Sequence, residues 1–450
     1  MPKRDLMQPP PQAGSRIQQW KAFLLPKSQR VAEFLGWSGL TMAGNLLYGF
    51  LCLRILPVPE YAKFVVVFAI QGSLVVLMDI GITGSLVPLV ADRVHDSQLI
   101  ADFVASLRQL AHWLYAIVAP LTIVVYPFLV RNRHWSWRTV AFMVAVLLVS
   151  VWFARVGGAY GAVLILRRDR RRYYQIGMAS SFGTLLLLLI FLACHWLNAY
   201  TAILINVSGI VFAGLACYFR SRHLLGVAGV PSRQKRAAIV QFALPSVPSI
   251  LYFAMQGPLT ILLINFFGRT AGVASVGALG RLGQAFGLLG GTYPVFIEPY
   301  FARLPRAKLR SHYFGTVAAA TGFSLVIIAL ARLFPQVFLW ILGPKYAGLR
   351  FEVFLAIIAG AMGTVGGLMA TINGSRRFVY HWDNITRNLS TLALQIIFIW
   401  KVDLSSVRNV LWFGIATLVP SLIMQTVVAI YGITRGPRRI TGLDHLSEQC

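Results

Sequence analysis

The chain has 450 residues, of which 57% are hydrophobic and only 12% charged, so it carries too little polar surface to solvate a soluble protein of this length. Its formal charge of +27 raises nucleic acid as a partner, but the basic residues alternate with apolar runs and form no compact basic domain, which excludes that class. A bilayer is the solvent that this composition fits.

Each apolar run is long enough to cross a hydrocarbon core of about 30 Å at about 1.5 Å per helical residue. In chain order, the runs between charge clusters predict spans near Phe34 to Leu56, Phe64 to Val90, Leu110 to Val130, Val140 to Leu166, Ile176 to Cys194 and Tyr200 to Cys217. A basic stretch from Arg220 to Arg236 follows. The later spans lie near Ile239 to Phe267, Val273 to Phe301, Phe314 to Leu342, Val353 to Ile372, Leu389 to Trp400 and Val410 to Ile430, the eleventh being short. The expected fold class is therefore an all-α polytopic membrane protein of about twelve transmembrane helices. The first run exceeds the apolar stretch of a signal peptide and is expected to remain in the mature protein.

The charges predict an orientation. Lys3, Arg16 and Arg30 precede the first span, Arg167 to Arg172 follow the fourth, and Arg220 to Arg236 follow the sixth. Arg303 to Arg310, Arg376, Arg377 and Arg435 to Arg439 continue the alternation, so these loops and both termini are expected to be cytoplasmic. Cysteines placed at positions 170, 233, 306 and 377 should then resist membrane-impermeant thiol reagents in intact cells. Ready labelling at any two of them would reject the twelve-span arrangement. The arginine tract after the fourth span also makes anionic lipid headgroups candidate partners.

The halves share local features. Pro88 to Arg93 ends the second span much as Pro299 to Arg303 ends the eighth, and the first and seventh spans carry similar polar stripes. Internal repeats of this kind predict two six-helix lobes around a central cavity. The expected divisions are a basic segment 1–33, a first lobe 34–219, a linker 220–238, a second lobe 239–432 and a tail 433–450.

Polar residues inside apolar spans are costly and therefore informative. Ser38, Thr41, Asn45, Tyr48 and Cys52 recur at steps of three and four on one face of the first helix, while Ser246, Ser249, Gln256 and Thr260 repeat the pattern on the seventh with Tyr252 beside them. Such stripes suit either a central aqueous cavity or interhelical hydrogen bonds. Asp79 and Arg155 are expected near the middles of their helices, where they either form a structural ion pair or act separately, Asp79 in ion coupling and Arg155 as a cation facing a cavity. Arg281 shares a face with Gly277, Gln284, Leu288 and Thr292 and is the candidate contact for an anionic group, because its planar fork donates paired hydrogen bonds to phosphate oxygens. Glu298 is a candidate for ion coupling or for snorkelling. Gly283, Gly287 and Gly291 predict close helix packing, and Pro258 predicts a kink. The cysteines show no metal-site spacing, and His112, His195 and His312 stand singly, so neither a metal, another cofactor nor a catalytic residue is expected. A membrane glycosyltransferase or polymerase would need a sizeable outer loop with catalytic acids, which the predicted loops are too short to hold.

The stretch Leu53-Arg-Ile-Leu-Pro57-Val-Pro-Glu60-Tyr61-Ala-Lys-Phe64, continuing to Leu77-Met-Asp79-Ile-Gly81-Ile-Thr-Gly84, resembles the signature of the polysaccharide flippases, with Ala62 where that family often has Gly. The basic turn after the fourth span and Leu342-Gly-Pro-Lys-Tyr346 extend the resemblance across nearly the whole chain. It implies the multidrug/oligosaccharidyl-lipid/polysaccharide exporter superfamily, alternating access, and a bacterial inner membrane. The implied substrate is a polyprenyl-pyrophosphate-linked oligosaccharide for O-antigen or exopolysaccharide, driven by a coupling ion or the membrane potential, with glycan-synthesis enzymes as candidate partners. Arg281, Arg155, Asn45, Tyr48, Gln256 and Gln284 are then the expected substrate contacts. A multidrug or organic-ion antiporter of the same superfamily is the nearest alternative.

Overall fold

The computed structural model describes residues 36–435 except 91–94, 132–134, 168, 245, 246, 249, 253, 255, 257, 258, 260, 262, 264–269, 377 and 379. The polar positions Ser246, Ser249 and Thr260 and the kink expected at Pro258 lie outside the described residues, as do the segments 1–35 and 436–450.

The long helices are α1 (36–55), α2 (Val58–Asp79), α3 (Ser97–Val130), α4 (Trp137–Leu166), α5 (Arg170–Ala193) and α6 (Ala199–Leu225). After them come α7 (Arg233–Ala243), α8 (Thr270–Gly290), α9 (Arg306–Leu333), α10 (Arg350–Ser375), α11 (His381–Lys401) and α12 (Val407–Arg435). Every described residue between 247 and 263 is helical as well. Among the described residues eight helices are long and apolar enough to cross a membrane, so the chain is an all-α polytopic membrane protein.

Local chemistry sets the boundaries. Asp96 and Ser136 cap α3 and α4 by accepting from the Leu99 and Thr139 amides, and Asn198 with Thr201 forms a capping box on α6. Gly226 ends α6 in the left-handed conformation at φ 66°.

Several predicted spans differ from the structure: the third begins at Ser97 and the sixth runs on to Leu225, and four others differ in where they start, break or end. The second begins earlier, where Pro57 and Pro59 preset the entering backbone, and it stops at Asp79 because Ile80 and Gly81 turn left-handed at φ 35° and 81°. Residues to Val90 then form a short 3-10 turn and the separate helix Leu86–Val90. The eighth breaks after Gly290 into a π-turn, Tyr293–Ile297, and a short helix, Glu298–Arg303, at a point where Pro294 lacks an amide for the ladder. The ninth divides at Phe334, after which Pro335 starts the helix Pro335–Leu342. The eleventh is a full helix of 21 residues rather than a short one.

Helix pairings recur with an offset of six helices. α3 packs on α4 as α9 packs on α10, α4 on α6 as α10 on α12, and α5 on α6 as α11 on α12. Across the halves, α2 packs on α8.

The apolar core divides along its length. One cluster joins Leu53, Phe64, Leu147 and Ile203 of the first half to Val273, Leu279, Ala356 and Val410 of the second. At the opposite end the core is split: Ile100, Leu107, Val163 and Cys217 form one cluster with Ile239 and Ala243 of α7, and Phe301, Tyr313, Ile372 and Val428 form another within the second half. The halves are thus fused at one end and, apart from α7, which packs on the first half, separately packed at the other.

Polar contacts reinforce the fused end. Lys345 Nζ donates to the Arg54, Ile55 and Leu56 carbonyls at 2.8, 3.4 and 2.7 Å, which satisfies the open C-terminus of α1. Arg54 reaches back to the Trp340 carbonyl at 2.7 Å, with its guanidinium 5.2 Å from the Trp340 ring centroid. Burial holds the Lys345 ammonium below the ordinary lysine range. The close approach lies at Gly277, where a Cβ would stand 2.3 Å from Val65 Cγ2. The glycines expected to pack closely do not all do so: a Cβ at Gly283 would meet nothing within 4 Å, and one at Gly287 would meet only Met42 Cε at 3.8 Å.

Candidate functional site

The polar stripe of α1 has two fates. Ser38, Thr41 and Asn45 line a cavity of about 430 Å³ between α1, α4, α5 and α6, together with Ser180, Ser181 and Thr184 of α5 and Asn206 of α6. No lining side chain is charged. Asn45 is exposed to this space and accepts from Ser181 Oγ at 3.0 Å. One turn further on, Tyr48 is buried and donates its hydroxyl to the Ala202 carbonyl of α6, so that side chain ties helices together and is not presented to the cavity. Cys52 is fully buried.

Arg281 occupies the seam between the halves. Its side chain leaves α8 and lies against Gly49 of α1, where a Cβ would sit 2.9 Å from the guanidinium carbon, with the Phe68 ring centroid 4.3 Å away. Nη1 donates to Gln284 Oε1 at 2.9 Å, and Gln284 itself is exposed. The residue is 5% exposed, yet the ion pairs among the described residues include no carboxylate for it. Placing arginine in hydrocarbon is unfavourable by about 3 kcal/mol on insertion scales, and here the aromatic face and the glutamine offset part of that cost.

Asp79 and Arg155 are not paired. Asp79 is the last residue of α2 rather than a mid-helix charge, and its carboxylate accepts from the Thr83 amide at 2.9 Å, capping the next turn. Arg155 lies in the middle of α4, 9% exposed, with its guanidinium 4.2 Å from the Trp152 ring centroid. Among the described residues its Nη1 has no hydrogen-bond acceptor. Glu298 is exposed at the start of its short helix.

The second half holds a polar face that the sequence reading overlooked. Asp383, Arg387, Thr391 and Gln395 are buried at steps of four along α11. Arg387 Nη2 donates to Asn384 Oδ1, and Tyr252, in the helical stretch after α7, lies beside Thr391 and Arg387. Gln256 Nε2 donates to Tyr252 Oη at 2.7 Å, which joins the predicted Gln256 to this group. The four-residue spacing was the available signal, but these charges shortened the apolar run and moved Arg387 into a predicted loop. Among the described residues no cluster of three His, Cys, Asp or Glu could hold a metal ion.

No family model and no curated protein matches the sequence. Solved structures do match. The chain is similar to a multidrug resistance MATE family transporter of the MOP superfamily in an inward-facing conformation, at 17% identity over 88% of this chain and 94% of that one, with a TM-score of 0.61. It is also similar to the lipid II flippase MurJ in an inward closed conformation, at 11% identity over 88% and 86%, with a TM-score of 0.62. A MOP superfamily transporter from Pyrococcus furiosus, described as having a binding pocket of reversed polarity, matches at 15% identity over 90% and 95%, with a TM-score of 0.51. At these identities the likeness is one of fold, and the chain has the fold of these transporters.

Proposed function

We propose that the chain is an alternating-access transporter whose two halves act as six-helix lobes, and that its substrate is an amphiphile bearing an anionic group, the lipid-linked oligosaccharide of a glycan pathway. The observation that carries the reading is Arg281: a guanidinium at the seam between the halves, with no carboxylate partner among the described residues and an exposed glutamine at its tip. A fused core at one end and separate cores at the other support movement of one half against the other about the fused end. In this reading the seam opens to admit the headgroup, and Arg281 exchanges its aromatic neighbour for phosphate oxygens. A coupling ion and anionic lipids at the basic loops belong to the same proposal, as does a bacterial inner membrane with both chain ends in the cytoplasm.

One observation favours a second reading. The 430 Å³ cavity is polar but uncharged along its lining, which suits a smaller organic solute, as a multidrug or organic-ion antiporter would carry. The two are separated in proteoliposomes given either a polyprenyl-pyrophosphate glycan or an organic cation. Arg281→Gln, present at native levels, is expected to lower glycan-lipid transport by about tenfold or more, with Arg281→Lys intermediate, since a charge-assisted hydrogen bond is lost in one and only its geometry in the other. Undiminished glycan transport by the Gln variant would remove the anionic assignment. Organic-cation exchange without glycan transport in the native protein would establish the antiporter instead.

A further inference from the structure

Away from the seam, at the end of the first half where α6 finishes, α3, α4 and α6 enclose a separate pocket of about 320 Å³. We propose that this pocket is a binding site for a phosphate-type anion, supplied by a lipid headgroup or by a free phosphorylated solute. The proposal is independent of what the seam transports.

The lining combines two guanidinium groups and two phenols: Arg108 of α3, Tyr160 of α4, and Tyr218 and Arg222 of α6. Tyr160 and Tyr218 meet edge to face at 5.0 Å, and Arg222 Nη1 donates to Tyr218 Oη at 3.3 Å. Both arginines are exposed, and neither takes part in an ion pair among the described residues. Asp102, the carboxylate on the same helix as Arg108, is taken up by Lys235 Nζ and by the Val230 amide at 2.8 Å. The local charge is therefore positive and uncompensated.

A second observation concerns Arg155 of α4, on the same helix as Tyr160. It is about nine-tenths buried, has Tyr160, Arg108 and Tyr115 as its electrostatic neighbours, and among the described residues its Nη1 has no acceptor. A buried guanidinium with a second cation in its neighbourhood is stabilised by an anion held nearby. The remaining wall is apolar, with Ala101, Val104 and Leu225. The loop after α6 closes it tightly: a Cβ at Gly229 would fall 1.9 Å from the Ala101 carbonyl oxygen. Cationic donors at one side and small apolar groups at the other suit a phosphate ester, with oxygens on the arginines and carbon on the alanines. The left-handed Gly226 cap places this arrangement where a spanning helix ends, at the height of lipid headgroups.

The test uses the full chain, purified and placed in phosphatidylcholine nanodiscs with and without phosphatidylglycerol, and separately titrated with inorganic phosphate in detergent. The thermal midpoint is expected to rise with the anionic ligand. In the Arg108→Gln/Arg222→Gln variant the apparent Kd should weaken by about tenfold or more, because charge-assisted hydrogen bonds are lost. Arg155→Gln should weaken it as well, and Tyr160→Phe/Tyr218→Phe gives a fold-preserving alternative if the arginine variants do not fold. Arg171→Gln/Arg172→Gln, on the exposed start of α5, should keep the native response. A rise with phosphatidylglycerol alone assigns a lipid headgroup, and a rise with inorganic phosphate assigns a free phosphorylated solute. The proposal is overturned if neither ligand raises the midpoint, or if the pocket variants respond as the native protein does.

Discussion

Gly214→Val is expected to lower the melting midpoint of the purified protein by several degrees. α4 and α6 meet backbone to backbone beneath the 430 Å³ cavity. A Cβ at Gly214 would stand 2.6 Å from the Phe153 carbonyl oxygen, while one at Gly157 would stand 3.4 Å from the Gly214 Cα. A helix carbonyl has no rotamer by which to step aside, so the helices must separate. Overpacking of this kind costs about 1–3 kcal/mol and sometimes more. Separation also widens the cavity walls at Phe153, Gly157 and Gly214, all of which line it. Gly157→Ala, at an ordinary contact distance, should be milder. Thermal unfolding followed by size-exclusion recovery separates the two, and a Gly214→Val protein that melts with the native one would refute the close approach.

Gly277→Val should open the fused end. The Cβ it adds would meet Val65 at Cγ2, Cγ1 and Cβ, at 2.3, 2.5 and 3.0 Å, and a β-branched neighbour with both methyls in the way cannot rotate clear. α2 and α8 must then part, exposing the inner face of α1. Cys52, fully buried at that face, reports the change. In a background with Cys194, Cys217 and Cys450 replaced by alanine, its labelling rate is expected to rise by about tenfold or more, which corresponds to an opening made easier by about 1.4 kcal/mol. Lys345→Met should act in the same direction with a smaller rise, since it removes three hydrogen bonds but introduces no clash. Continued protection of Cys52 in Gly277→Val would show that the seam does not close in this way.

The apolar runs made the membrane class and most helix positions legible, because burial in lipid leaves its mark on every turn. The breaks were harder to see. Asp79 looked like a mid-span charge because the apolar run continues past it, and only the left-handed Ile80 ends the helix there. Ile is among the residues least suited to that conformation, so composition gave no warning. The expected Asp79 to Arg155 pair failed for the same reason: a carboxylate at a helix end can cap a turn more cheaply than it can reach across to another helix. Tyr48 shows a further limit. Its position on the α1 stripe was correctly placed, but whether a polar residue on such a stripe faces a cavity or a neighbouring carbonyl depends on how close α6 comes. Arg281 was legible as a deep charge, whereas its stacking on Phe68 depends on the spacing between α2 and α8. In α11 the error ran the other way, since buried Asp383 and Arg387 resembled loop residues until their common face became visible.

The Lys345 contact has an evolutionary consequence. Its three acceptors on α1 are main-chain oxygens, and Arg54 likewise grips a main-chain oxygen at Trp340. Any residue at positions 55 and 56 offers the same oxygens, so the latch survives substitution of the side chains it holds. Descendants of this chain can therefore vary the side chains at the end of α1 while keeping the fastening that closes it, and only the two gripping side chains need to be preserved.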